Sequence, residues 1–153
     1  MRRYLVVANQ TLGGDELMSL INKRAKCEVS EFYLVVPATP LVDYAPVGAV
    51  PMMGGLPVIP ESPESARAVA QERLQAALTQ LREAGVVVDG RVGEPDPVQA
   101  VGTTCKGRQF DEIIVSTLPN RLSRWLGQDL PRRLERKSGL PVTHVERLSP
   151  DAP

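Results

Sequence analysis

Short apolar runs and amphipathic stretches alternate along the whole chain. An uninterrupted apolar run suits a parallel strand covered on both faces, whereas apolar residues three and four apart suit a helix with one buried face. By this criterion the sequence predicts five strands, at Tyr4–Ala8, Glu31–Val36, Val86–Val92, Glu112–Ser116 and Pro141–Glu146. Between them it predicts four helices, at Asp15–Ala25, from Ser62 to Ala84, at Val98–Lys106 and after Asp129, and a short turn at Leu122–Leu126.

The helix boundaries follow from capping chemistry. Ser62-Pro63-Glu64 and Asp96-Pro97 each place a capping side chain directly before a proline, which is a strong signal for the start of a helix. A glycine follows the predicted end of each of these two helices. Pro131 would break a helix running on from Leu122, so the sequence favours a separate helix that Asp129 caps.

Strands and helices that alternate in this way predict a single α/β domain of residues 1–153, with a parallel sheet and helices on both faces. The exception is the segment Pro37–Glu61, which contains six prolines and no helical period. Loops this long usually cover a site or are disordered. The segment is also rich in apolar residues, so three interpretations stay open: it packs over the sheet edge or a dimer partner, it forms a lid near the end of the second strand, or it is a flexible loop.

The charge and hydropathy of the chain narrow the functional classes. Its 153 residues include 18 basic and 18 acidic side chains, so no global field favours nucleic acid or an anionic membrane. The apolar run near the amino terminus is too short for a signal peptide, and no stretch approaches the roughly 18 apolar residues of a membrane span. We therefore expect a cytoplasmic protein that has no membrane partner.

The cysteines and the histidine do not point to redox or metal chemistry. Cys27 and Cys105 lie far apart in the sequence, and no further ligands accompany them at metal spacing. In a reducing cytosol we expect both to be buried structural thiols. His144, the only histidine, lies inside a predicted strand, and we expect it to pack structurally or at an interface.

Four segments resemble the universal stress proteins, and the resemblance covers nearly the whole chain. They are YLVVAN in the first strand, VGEPDPVQAV before the third helix, FDEIIVST, and LSRWLGQDLPRRLERKSGLPVTHV. The resemblance implies a Rossmann-like domain whose five-stranded parallel sheet has the order 3-2-1-4-5, with the first strand in the centre. It also implies a two-fold homodimer that pairs the last strand, Pro141–Glu146.

The loop after the fourth strand departs from the pattern of the family's ATP-binding members. Those members carry Gly-x2-Gly-x9-Gly-[Ser/Thr], whose glycines let backbone amides approach phosphates. Here Leu118-Pro119-Asn120-Arg121 occupies the loop, and Gln128 rather than serine or threonine follows Gly127. Pro119 has no amide hydrogen to donate. Asn9 stands where ATP-binding members usually have an aspartate, so the phosphate-binding pattern is degenerate.

Candidate ligand residues nevertheless follow the first and fourth strands. Ligands of open α/β sheets bind outside the carboxyl ends of the strands, where the winding reverses. The amide of Asn9 suits a base or a ribose, and two arginines can supply charge in place of the missing amides. With the positions that the resemblance implies, the candidates are Ala8, Asn9, Gly13, Val36, Thr117, Asn120, Arg121, Ser123 and Arg124. The alternatives are a tight turn at Gly13-Gly14 and a solvated basic face at the two arginines.

Other functional classes have less support in the sequence. No nucleophile elbow, Cys-His pair, metal-ligand set or P-loop occurs, so we do not expect an enzyme. The segment from Arg121 to Lys137 has six basic and two acidic residues, a local charge of +4, but Trp125 is its only aromatic residue, which argues against nucleic-acid binding. Asp111-Glu112 opens the fourth strand at the end away from the ligand side, and we interpret it as a capping or solvated pair.

Two hypotheses remain. The first is a non-catalytic homodimeric module whose crevice between the first and fourth strands weakly binds an adenine nucleotide, ATP or AMP, or another small anion. The second is a structural or partner-binding dimer with no nucleotide bound. A panel of nucleotides tested against the folded protein separates them.

Overall fold

The computed structural model describes residues 1–9, 11–12, 14–38, 52–53, 56–57, 63–117 and 129–146. Four helices occur in these residues: α1 (Asp15–Cys27), α2 (Pro63–Glu83), α3 (Pro97–Gly107) and α4 (Leu130–Ser138). Seven strands occur there: β1 (Arg2–Val7), β2 (Ser30–Pro37), β3 (Met52–Met53), β4 (Leu56–Pro57), β5 (Val88–Gly93), β6 (Glu112–Thr117) and β7 (Val142–Glu146).

Five of the strands form one parallel sheet with β1 in the centre. β1 pairs with β2 on one side and with β6 on the other, β2 continues to β5, and β6 continues to β7. The order β5-β2-β1-β6-β7 is the predicted 3-2-1-4-5 order, and the single α/β fold class is confirmed. The chain therefore reverses its winding between β1 and β6, and open α/β sheets bind their ligands at such a point, outside the carboxyl ends of the strands.

The continuous apolar run of β1 is explained by burial on both faces of the sheet. Tyr4 and Val6 belong to the core cluster on the side of α1 and α2, whereas Leu5 and Val7 belong to the cluster on the side of α3 and α4. All four side chains are fully buried. Burial of each is worth about 1.5–3 kcal/mol relative to exposure, which makes the central strand the main anchor of the fold.

Two of the predicted helix boundaries have the expected chemistry, and one does not. The Asp96 side chain accepts a hydrogen bond from the Val98 amide (3.0 Å), and Gly85 ends the turn after α2 with a φ of +85°. Asp129 precedes α4 as predicted, but it has a left-handed backbone (φ 56°) and its side chain makes no capping bond. Its carboxylate instead pairs with Arg132 at 3.7 Å.

The segment Pro37–Glu61 is less irregular than the sequence suggests. Met52–Met53 and Leu56–Pro57 form a two-stranded antiparallel sheet, so the expectation of an irregular segment is wrong for these residues. Strands this short give no alternation to recognise, because a period of two needs more residues to appear. The predicted cap at Ser62 and the predicted turn at Leu122–Leu126 lie outside the described residues.

The two cysteines are free thiols in different surroundings. Cys27 is the last residue of α1 and is exposed, so the expectation of a buried thiol is wrong there, whereas Cys105 in α3 is partly buried. Burial raises the pKa of the Cys105 thiol. In the part of the chain that the structure describes, no helix is both long enough and apolar enough to cross a membrane.

Candidate functional site

Small polar side chains collect at the carboxyl edge of the sheet, where β1 and β6 end side by side. Asn9 and Thr11 follow β1, and Ser116 and Thr117 end β6. All four are at most 2% exposed, although polar residues of this kind are mostly found on protein surfaces. Buried polar groups need hydrogen-bond partners, so the partners of this cluster determine what the edge can bind.

Asn9 joins three elements through its side-chain amide. Its Nδ2 donates a hydrogen bond to the backbone oxygen of Pro37, at the end of β2 (2.6 Å). Its Oδ1 accepts a hydrogen bond from the Arg73 guanidinium, which reaches the edge from α2. Arg73 is partly exposed and makes no ion pair with any described residue. Within the described residues, the Arg73 guanidinium thus lies at the carboxyl edge without a neutralising carboxylate.

The turn between β1 and α1 is closed by its own hydrogen bonds. The Leu12 amide donates to the Asn9 oxygen, and the Gly14 amide donates to the Thr11 oxygen, both at 3.0 Å. The Thr11 hydroxyl accepts a hydrogen bond from the Ser116 hydroxyl at 2.7 Å. Gly14 therefore belongs to a tight turn, which is the alternative that the sequence left open for Gly13-Gly14. Its backbone amide already donates a hydrogen bond within that turn.

The first turn of α1 is also acidic. Asp15 and Glu16 occupy it, and their charges already complement the positive end of the helix dipole. A phosphate at this helix terminus would meet two carboxylates. Among the residues described at the carboxyl edge, the positive charge available to an anion therefore comes from Arg73 rather than from the start of α1.

Thr117 contacts the sheet-edge strand β7. Its hydroxyl lies 2.8 Å from His144 Nε2, and Val115 is the register partner of His144 in the β6–β7 pair. The histidine is exposed at the surface, but partial burial of its ring lowers its pKa below the ordinary 6.5, while Glu146 acts in the opposite direction. At neutral pH the imidazole is therefore uncharged, and this contact is a neutral hydrogen bond.

The structure brings some of the predicted ligand residues together and leaves others outside the described range. Asn9 and Thr117 lie at the carboxyl ends of the neighbouring strands β1 and β6, whereas Ala8 and Val36 are buried in the core with at most 1% of their surface exposed. The remaining candidates lie outside the described residues: Gly13, Asn120, Arg121, Ser123 and Arg124. The nine ligand assignments therefore stay predictions.

Sequence reasoning missed one member of this cluster, Thr11, and two of its side-chain partners, Arg73 and His144. No signal in the sequence marks Arg73, because helical periodicity gives the face of α2 but not how far a long side chain reaches. Thr11 could have been found from the same rule that found Asn9, since it follows the same strand. Within the described residues, no group of three or more His, Cys, Asp or Glu side chains could hold a metal ion.

Glu112, at the opposite end of β6, is buried rather than solvated. It is 7% exposed, and its carboxylate pairs with Arg2 (3.2 Å) and Arg24 (3.3 Å) and accepts a hydrogen bond from the Thr143 hydroxyl (2.7 Å). Its neighbour Asp111 accepts a hydrogen bond from the Arg3 amide at 2.8 Å, which agrees with a capping role. The sequence interpretation of a capping or solvated pair therefore holds for Asp111. It is wrong for Glu112, which is a buried, ion-paired carboxylate.

Comparison with known proteins identifies the fold. No protein-family model and no curated protein matches the sequence. Solved structures do match. A universal stress protein family member from Burkholderia pseudomallei is 16% identical, with a TM-score of 0.60 and 94% of each chain covered. A member from Arabidopsis thaliana with AMP bound is 15% identical, with a TM-score of 0.57, covering 100% of this chain and 96% of that one.

A third solved structure extends the likeness to an archaeal protein. The universal stress protein from Archaeoglobus fulgidus, in complex with dAMP, is 14% identical, with a TM-score of 0.58, covering 95% of this chain and 97% of that one. Likeness over whole chains at so low an identity is a likeness of fold. The chain has the universal stress protein fold, as the four sequence segments implied.

Proposed function

We propose that the protein is a non-catalytic module that binds an adenine nucleotide weakly in the crevice between β1 and β6. The observation that carries the proposal is the Arg73 guanidinium, held at the carboxyl edge by Asn9 and left without an acidic partner among the described residues. A guanidinium presents several N–H donors in a planar fork that suits phosphate. Two proteins of similar fold have AMP or dAMP bound.

The proposed ligand lies over Asn9 and Thr117, at the point where the winding of the sheet reverses. Arg73 would contact the phosphate in place of the backbone amides that the degenerate loop lacks. The buried hydroxyls and the Asn9 amide form a preorganised floor, because they already bond to one another and to Pro37. One cation in the described part of the site, without a glycine-rich cradle, supports weak binding, and AMP suits the site better than ATP because it has fewer phosphates to neutralise.

The test is titration of the folded protein with AMP, ATP and cyclic AMP, followed by melting temperature and by isothermal calorimetry. Arg73→Gln should weaken AMP binding by about tenfold, which corresponds to roughly 1.4 kcal/mol for one charge-assisted contact. Arg67→Gln is the matched control, because Arg67 is exposed on the same helix and six residues earlier. Equal affinity of the two variants for AMP would contradict the proposal.

A second candidate function is a structural or partner-binding dimer with no nucleotide. It is favoured by the internal bonding of the carboxyl edge: both ends of the Asn9 amide, the Ser116–Thr11 hydroxyls and the Gly14 amide are all used. Under this hypothesis, Arg73 fixes Asn9 and does not contact a ligand. A melting temperature that none of the nucleotides changes at millimolar concentration would favour it over the first.

In both candidate functions the protein is a homodimer whose two chains pair through β7. In both, the protein is located in the cytoplasm. β7 and β5 are the two edges of the five-stranded sheet. β5 carries Asp89 and Arg91 in its middle, and charged side chains protect an edge from pairing, whereas the middle of β7 carries no acidic or basic residue except the neutral His144. The edge that is open to a second chain is therefore β7.

The dimer is tested by sedimentation velocity combined with hydrogen exchange at high and low protein concentration. If β7 pairs across the two-fold axis, dilution should speed exchange of its amides and leave the exchange of β5 unchanged. The β5 strand thus serves as the control within the same molecule. A monomer at micromolar concentration, or equal changes at both edges, would overturn the assignment.

A further inference from the structure

The amino edge of the sheet contains a cleft that the proposed function does not use. A cavity of about 740 Å³ lies between the starts of β2 and β5 and the end of α3, and its lining includes Tyr33, Val87, Cys105, Lys106, Arg108 and Phe110. An adjoining cavity of about 490 Å³ shares Cys105, Arg108 and Phe110 with it. Small-molecule sites typically measure roughly 300–1,000 Å³, so the space suits a small ligand.

One wall of the cleft is a surface of planar groups. The Tyr33 and Phe110 rings lie 6.2 Å apart between centroids, at an angle of 43°. The Arg108 guanidinium lies over the Tyr33 ring, 4.2 Å from its centroid. Both rings are partly exposed, and a guanidinium already held over an aromatic face is oriented for stacking and for hydrogen bonding along its edge.

The charges of the cleft leave two cations available. Three acidic residues line the two cavities, but each is already bonded: Glu31 to Arg3 (2.8 Å), Asp89 to Arg82 (3.7 Å) and Asp111 to the Arg3 amide (2.8 Å). Lys106 and Arg108 are exposed and form no ion pair with any residue in the described ranges. Lys106 and Arg108 therefore offer positive charge next to the aromatic wall, while Asp111 keeps its negative charge because its hydrogen-bond partner is an uncharged amide.

Exposed apolar side chains surround the same edge. Met1, Val29 and Val87 precede β1, β2 and β5, and they are 74%, 71% and 64% exposed. Met1 and Val87 each line one of the two cavities. Exposed apolar side chains on neighbouring strands mark a surface whose burial by a ligand or partner is energetically favourable.

We infer that this cleft is a second binding site, distinct from the carboxyl-edge crevice, for a small aromatic anion: a planar ring that carries a carboxylate or phosphate. The ring packs beside Phe110 and on the outer face of the Arg108 guanidinium that covers Tyr33, and the anionic group contacts Lys106 and the N–H edge of Arg108. The two sites lie at opposite ends of six-residue strands, roughly 20 Å apart at about 3.3 Å per residue. Occupation of one therefore does not require the other.

The experiment titrates the protein with salicylate and follows amide shifts by NMR, with salicylamide as a neutral ligand of nearly the same shape. Salicylate should shift the amides of Tyr33 and of residues 106–110 and leave those of Asn9 and Thr117 in place. It should also slow alkylation of Cys105 in a Cys27→Ser variant, because Cys105 lines the cleft and Cys27 lies outside it.

Three variants decide the assignment of roles. Arg108→Gln and Lys106→Gln should each weaken salicylate binding, the former about tenfold, whereas Arg67→Gln should not change it. Both target residues are exposed, so neither variant puts folding at risk. Salicylamide binding as tightly as salicylate, shifts spread beyond the cleft, or equal affinity in the Arg108 and Arg67 variants would overturn the inference.

Discussion

The two edges of the sheet are built from opposite kinds of polar chemistry. At the carboxyl edge, Asn9, Thr11, Ser116 and Thr117 are buried and neutral, and their side chains bond to one another, to a backbone oxygen, to Arg73 and to His144. At the amino edge, buried Glu112 lies between two arginines. In the described residues, the carboxyl edge is thus organised by hydrogen bonds among neutral groups and to the Arg73 guanidinium, and the amino edge by ion pairs.

The difference shows where the fold tolerates buried charge. The amino edge needs strong local partners because a buried carboxylate without them costs several kcal/mol. The carboxyl edge, by contrast, contains no buried carboxylate among the described residues and can accept the charge of a ligand without first displacing an ion pair. We expect stability to depend most on the amino edge and nucleotide binding to depend on the carboxyl edge.

The largest expected effect is that of Glu112→Ala. The substitution leaves Arg2 and Arg24 facing each other without their carboxylate and removes the acceptor of Thr143. Both arginine side chains are partly exposed (40% and 31%), so we expect a loss of about 2–3 kcal/mol, below the roughly 3–5 kcal/mol of a fully buried pair. Urea unfolding measures this loss in the free energy of unfolding.

Glu31→Ala is the control for Glu112→Ala. Glu31 also pairs with an arginine, Arg3, at 2.8 Å, but both side chains are substantially exposed. An exposed ion pair contributes about 0–1 kcal/mol. If Glu112→Ala and Glu31→Ala lost the same free energy of unfolding, the buried ion pairs of Glu112 would contribute no more than an exposed pair. The contrast drawn between the two edges would then be wrong.

The next effect is that of Asn9→Ala at the carboxyl edge. It removes the donor to the Pro37 oxygen and the acceptor of Arg73, and a buried carbonyl left without a partner costs about 1–3 kcal/mol. We expect a loss of about 1–2 kcal/mol in the free energy of unfolding. Asn22→Ala, which removes a bond from the surface of α1 to the Met18 oxygen, should cost less than about 0.5 kcal/mol.

Ser116→Ala should cost about 1 kcal/mol, because one neutral hydroxyl pair is lost inside the protein. A double-mutant cycle with Thr11→Ala should give a coupling free energy of similar size. The coupling should not change with salt, unlike the loss in Glu112→Ala, since neither hydroxyl is charged. Strictly additive losses would show that the hydroxyl contact contributes nothing.

The sequence predicts the inner strands of the sheet well because they are buried on both faces. Such strands carry continuous apolar runs, and Tyr4–Ala8 and Ile113–Val115, within the predicted strand Glu112–Ser116, show this pattern directly. Their true limits differ by one or two residues, because pairing of Arg2 and Arg3 with Ser30 and Glu31 uses backbone groups that no side-chain pattern reveals. Order and direction then follow from the alternation of strands and helices.

The contents of the site are less predictable because they depend on contacts between distant parts of the chain. Glu112 can be buried because Arg24 and Thr143 both contact its carboxylate, although they lie 88 and 31 residues away in the sequence. Arg73 reaches Asn9 only because α2 packs on that face of the sheet. Hydropathy gives the face of a helix, and the reach of its long side chains becomes visible only with the tertiary structure.

The smallest expected effect is the pH dependence due to His144, which links the carboxyl end of β6 to the sheet edge. Burial lowers the pKa of the folded imidazole below the ordinary 6.5, and Glu146 opposes this in part. Between the two pKa values the unfolded chain binds a proton that the folded protein does not bind. The stabilisation is therefore complete above about pH 6.5 and is lost as the pH falls from there through the folded pKa.

Because the chain has one histidine, NMR titration of its ring reports this group alone. His144→Asn keeps a polar partner for Thr117 but cannot titrate, so it should remove the loss of stability that wild type shows just below pH 6.5. The effect should be small, since the ring is largely exposed and solvent screens its charge. A folded-state midpoint at or above 6.5 would mean that Glu146 outweighs burial, and the sign of the pH dependence would reverse.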